Sequence, residues 1–107
     1  MTAFVLRKEF EFEVEVAVNV PGGKPATFTA RFVAVDQGAL DAAADDKSLV
    51  RDVLRGWTGL MEEAAGGEIR DMAFTPDNVA RLLEIPYVRR ALALAYGAAI
   101  GGIARGN

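Results

Sequence analysis

The sequence predicts an α+β fold, with an N-terminal antiparallel β-hairpin over 1–35 packed against a helical C-terminal half, 36–107, of three to four helices. Three features predict it. Two early runs alternate apolar and polar residues with a period of two. From Leu49 onward apolar side chains recur at helical spacing. Two prolines, Pro76 and Pro86, stand where helices can begin.

The first run is Phe10 to Val20, with Phe10, Phe12, Val14, Val16, Val18 and Val20 on one face and Glu11, Glu13, Glu15, Ala17 and Asn19 on the other. That is a strand with one buried and one wet, acidic face. Pro21-Gly22-Gly23-Lys24-Pro25 supplies turn chemistry. Alternation resumes with Phe28, Ala30, Phe32 and Ala34 inward and Thr27, Thr29 and Arg31 outward, so the two runs form a hairpin. Arg31 and Lys24 are expected near the glutamates, easing their repulsion. Asp36 to Asp46 reads as a short helix or helical turn. Asp46 or Ser48 is expected to cap a second helix carrying Leu49, Val50, Val53, Leu54 and Trp57, ended by Gly56 and Gly59. Trp57 falls in phase with this stripe and reads as core. Leu60 to Ala73 reads as loop. Thr75, Pro76 and Asp77 give an N-cap, a first-turn proline and an acidic first turn for a third helix bearing Val79, Leu82, Leu83 and Ile85. Pro86 breaks that helix and opens the last one, in which Tyr87, Val88, Ala91, Leu92, Ala95 and Ala99 form a stripe. The predicted core joins the even-numbered residues Phe10 to Val20 with Phe28, Phe32, Trp57, Leu82 and Leu83.

Composition bounds the chemistry. The 107 residues are the size of one domain, and with 51% hydrophobic and 25% charged residues they can build a core. The sequence has no cysteine and no histidine, which removes disulfides, thiolate ligands, imidazole bases and imidazole ligands. Ser48 is the one serine, and no imidazole can activate it. A non-enzymatic protein with no cofactor and no metal is expected. A net charge of −3 argues against nucleic acid as the partner. The apolar stretch Ala91 to Ala104 falls short of the roughly 20 residues that span a bilayer. Met1 to Lys8 lacks the order of a signal peptide, so a cytoplasmic location is expected.

The acidic residues offer little chemistry. Glu11, Glu13 and Glu15 read as a solvated strand face. Asp41, Asp45 and Asp46, and Glu62, Glu63, Glu68 and Asp71, lack the alternating ligands and central glycine of a calcium loop. Gly22-Gly23-Lys24 lacks the upstream glycine, the following hydroxyl residue and the helix start of a phosphate loop. The last helix, by contrast, carries apolar residues off its stripe. Leu94, Ile100 and Ile103 stand beside Gly97 and Gly101, where a backbone could approach closely. The glycine spacing has two readings, close packing inside the domain or a groove for a partner helix. A partner surface is placed at Leu94, Gly97, Ile100, Gly101 and Ile103.

The order of several segments has a parallel. Thr27-Phe28-Thr29-Ala30-Arg31-Phe32, Leu40-Asp41, Gly56-Trp57-Thr58-Gly59-Leu60, Phe74-Thr75-Pro76-Asp77-Asn78 and Leu82-Leu83-Glu84-Ile85-Pro86-Tyr87-Val88-Arg89 follow one another along the chain. In that order they resemble the tail assembly chaperones of long-tailed bacteriophages and prophages, from about Phe10 to Tyr96. The resemblance implies a protein absent from the finished virion. It implies binding to the tape-measure protein, recruitment of the tail-tube protein, and no catalytic residues; a homo-oligomer is a further expectation. Two departures are the alanine-rich loop Glu62 to Ala73 and the glycine-rich tail after Tyr96. The alternatives are a minor structural tail protein, or a small nucleic-acid-binding regulator using Arg51, Arg55, Arg89 and Arg90.

Overall fold

A computed structural model describes residues 2–101. The fold is α+β: an N-terminal antiparallel hairpin and four helices, with more strand than the sequence pattern predicts. Strand β1, Glu11–Val18, pairs antiparallel with β2, Ala26–Val33, in the register Phe12 to Phe32 and Val16 to Phe28. At the turn the N–H of Gly23 donates to the Val20 carbonyl over 3.0 Å. Pro21 sets the first turn position, and Gly22 takes the positive φ of 71° that the second position requires.

Helix α1, Gln37–Ala42, is capped by Asp36, whose carboxylate accepts from the Ala39 N–H at 3.0 Å. Helix α2, Asp46–Val53, is capped by Asp45 rather than by Asp46 or Ser48; the Ser48 N–H donates to it at 2.8 Å. That bond, followed by the Ser48 hydroxyl, holds the Asp45 carboxyl below its ordinary range.

The predicted continuation of this helix to Trp57 is corrected. The helix stops at Val53, and Leu54–Thr58 forms β3, which pairs antiparallel with β2. The edge of β2 facing away from β1 needs backbone partners, and this segment supplies them. Gly56 weakens a helix there, and the burial of Leu54 and Gly56 around exposed Arg55 shows a period of two. The three-stranded sheet has the order β1-β2-β3. The expected loop over Leu60 to Ala73 is corrected too: β4, Met61–Glu63, pairs with β5, Ile69–Asp71.

Helix α3, Pro76–Leu83, begins as predicted. The Thr75 hydroxyl accepts from the Asn78 N–H at 3.1 Å, and Asp77 lies in the first turn. Ile85 is extended (φ −95°, ψ 107°), and α4 runs Pro86–Ile100. Helix α4 lies on β1, with α2 and α3 packed beside it. Tyr96, Phe32, Leu83, Leu92, Val16, Val50 and Val53 are the largest fully buried side chains. The Tyr96 hydroxyl donates to the Val33 carbonyl at 2.9 Å and accepts from the Val35 N–H at 3.2 Å, closing the end of β2. Its ring stands edge-on to Phe32 at 5.0 Å.

The predicted core needs trimming at its ends. Phe10 and Val20 are exposed, Phe12 and Val14 are half-buried, and Val16 and Val18 are buried. A helix of 15 residues is about 22 Å long, whereas 11 strand residues extend about 37 Å, so α4 covers only part of the run. Trp57 is half-buried, at the margin of the core rather than inside it.

Candidate functional site

Helix α4 places the partner-surface residues on different faces. Its buried face is Val88, Ala91, Leu92, Ala95 and Tyr96. Tyr87 and Ala99, assigned to the stripe by sequence, are exposed, because the stripe is centred nearer Leu92 and Tyr96. Leu94 lies opposite this face and is 67% exposed.

Gly97 is exposed, and a Cβ built on it would meet nothing within 4 Å. The reading of Gly97 as close packing against another helix of the same chain is therefore overturned. Ile100 is half-buried and packs against the core, four residues on from Tyr96, so it belongs to the buried flank. Gly101 is the exposed C-cap, its N–H donating to the Gly97 carbonyl at 3.0 Å. Ile103 lies outside the described residues. The open part of the predicted surface is thus Leu94 and Gly97, with Gly101 at its end.

No family model, curated protein or solved structure matches this chain.

Two arginines of the nucleic-acid alternative, Arg55 and Arg89, are engaged by main-chain carbonyls of the chain, while Arg51 and Arg90 are exposed. The Arg55 guanidinium donates to the Asp52 carbonyl at 2.7 Å. Arg89 donates to the Leu83 carbonyl at 3.0 Å. Its Nε lies 3.3 Å from Asp46 without the alignment of a hydrogen bond. The carboxylates are divided as well. Glu11 lies 3.4 Å from Arg31, while Glu62 lies within 3.1 Å of Arg70 and 3.3 Å of Arg81. Lys47 hydrogen-bonds Glu84, which lowers the Glu84 pKa. Among the described residues no three acidic side chains are grouped so as to hold a metal ion. Among the same residues no helix is long and apolar enough to cross a membrane.

On the wet face of the sheet a shallow depression is lined by Glu13, Thr29, Arg31, Gly56, Trp57 and Phe74. Arg31 lies across Gly56 and donates to the carbonyl of Arg55 at 3.1 Å. Its guanidinium thus lies between the Arg55 carbonyl and Glu11, beside the register shift between β2 and β3.

The sequence reading missed the segment before β1. Phe4, Val5 and Leu6 are exposed there, and with Val33 to Asp36, Ala39 and Arg55 that segment bounds a wide groove. The signal was present in the alternation of Phe4 and Leu6 with Phe10 and Phe12.

Proposed function

We propose that this chain is a tail assembly chaperone of a long-tailed bacteriophage or prophage, acting in the host cytoplasm by binding rather than by catalysis. Its clients are the tape-measure protein, which it keeps soluble, and the tail-tube protein, which it helps recruit. The single observation that carries a helix-binding surface is the outer face of α4. Leu94 is 67% exposed there, and the space above Gly97 is open. An apolar side chain beside a residue without a Cβ lets a client helix approach closely, and repeated shallow contacts along a long helix need no deep pocket. The α+β architecture, with α4 braced on β1, holds that face rigid.

The test is co-expression with a tape-measure protein from the genome that encodes this chain. The wild type should keep it soluble and co-purify with it, and Leu94→Glu should lose the association while melting unchanged. A tape-measure protein equally soluble without this chain would overturn the reading. So would detection of the chain in purified virions, which would favour a structural tail protein.

A further inference from the structure

Residues 2–9 lead into β1 without joining the sheet. They carry the most exposed large apolar side chains among the described residues, Phe4 at 87% and Leu6 at 85%. Strand β1, next to them, is an edge strand paired only with β2. The Ala34 N–H donates to the Phe10 carbonyl at 2.8 Å, so the even-numbered residues of β1 turn their peptide groups toward β2. The alternation leaves the N–H and C=O of Glu11, Glu13, Glu15 and Ala17 facing outward. Such an edge is a template for another strand.

We propose that this edge is filled by residues 2–8 of a second copy of the chain, laid antiparallel along β1 and exchanged reciprocally about a two-fold axis. The segment cannot serve its own β1. It runs directly into that strand, and residues 2–10 contain no Gly, Pro, Asn or Asp to turn the chain back. Its length fits: seven extended residues span about 24 Å against about 27 Å for the eight of β1.

Parity and charge fit as well. In an antiparallel pair, directly opposed residues share a face. With Arg7 opposite Glu13 of the second copy, Leu6 falls beside Val14, Phe4 beside Val16, and Phe10 on the two-fold axis. Phe4 and Leu6 then extend the half-buried face of β1, while Arg7 joins the glutamate face together with Val5, which falls opposite Glu15; Lys8 falls opposite Phe12, at the exposed end of the apolar face. Glu9 falls opposite Glu11, whose charge is already met by Arg31 at 3.4 Å. Pairing β1 with β1 alone, centred on Glu13, would instead set the three glutamates of each copy against each other. A closed two-fold exchange satisfies both edges at once and leaves no open end to propagate.

The test uses the full chain in sedimentation equilibrium from micromolar to millimolar concentration, with thermal melting followed in parallel. The wild type should be a dimer. Removal of residues 2–8, or Leu6→Asp alone, should give a monomer with the hairpin and helices still folded. Arg7→Glu should weaken the dimer about tenfold, and so should Glu13→Lys. Mixing these two variants should restore a heterodimer, because each then presents the charge that the other lacks. A monomeric wild type at millimolar concentration overturns the proposal, as does undiminished dimerisation of the truncated chain. A mixture associating no better than either variant alone overturns the reciprocal register.

Discussion

Trp57 donates its indole N–H to the main-chain carbonyl of Met72 across 2.7 Å, while its ring meets Phe74 edge-on at 4.8 Å. The Met72 N–H donates in turn to the Leu60 carbonyl at 2.9 Å. One side chain of the three-stranded sheet thus fastens the open end of the small β4–β5 hairpin, whose own Met61 and Ile69 lie exposed. An isolated hairpin of three-residue strands is not stable in water, so its order depends on this attachment.

Trp57→Phe should therefore cost about 1–2 kcal/mol through the unpaired Met72 carbonyl. Amide exchange over 61–71 should quicken far more than over 11–33. Denaturant unfolding and hydrogen exchange measure the two effects. Equal quickening of both regions would show that Trp57 supports the whole sheet.

The boundaries around α3 and α4 were legible because local chemistry decides them. Thr75 with Pro76, and Ile85 with Pro86, leave the backbone few choices. Strand β3 was not legible. Val50, Val53, Leu54 and Trp57 satisfy a helical stripe, and what overrides it is the unpaired edge of β2, a tertiary demand absent from the local pattern. Leu94 was legible as a surface residue because it lies far off the stripe. Ile100 was misplaced because the stripe was centred on Ala91 and Ala95, whereas burial runs through Val88, Leu92 and Tyr96 to Ile100.

Gly56 and Arg31 form a second testable pair. A Cβ on Gly56 would stand 3.1 Å from the Arg31 Nη2. The guanidinium can move away, but only by giving up its bond to the Arg55 carbonyl. Gly56→Ala should cost about 1 kcal/mol, and about half of that or less in an Arg31→Ala background. A double-mutant cycle in urea decides it. Full additivity would mean that the backbone, not Arg31, requires the glycine.

Burial raises the Tyr96 pKa above its ordinary 10.0, outweighing the opposing effect of the hydrogen bond from Val35. Above pH 10 the unfolded chain releases this proton while the folded chain retains it, so the unfolded state binds fewer protons. The contribution is complete below pH 10 and is lost as pH rises toward the folded pKa. Tyr96→Phe should lower stability at pH 7 by about 1 kcal/mol through its hydrogen bonds. The same variant should show a shallower loss of stability above pH 10, read from urea midpoints across the alkaline range. Parallel curves for the two proteins would place the alkaline transition elsewhere.

The two faces of α4 give the last prediction. Leu94 points away from the core and is 67% exposed, so Leu94→Glu removes no packed contact and inserts its charge into water. Its melting temperature should stay close to that of the wild type, since surface changes of this kind fall within about 0.5 kcal/mol. Ile100 rests half-buried against the core, on the same flank as Tyr96. There a carboxylate must either be held against apolar side chains or pull the last turn of the helix away from the sheet, at a cost of about 1–3 kcal/mol. Calorimetry on the two variants separates these faces before any client is added. If both melt like the wild type, the end of α4 is loosely held, and Ile100 rejoins Leu94 and Gly97 on the surface offered to a client. If Leu94→Glu melts as low as Ile100→Glu, the outer face of α4 is packed in solution, and self-association through that helix becomes the contact to map.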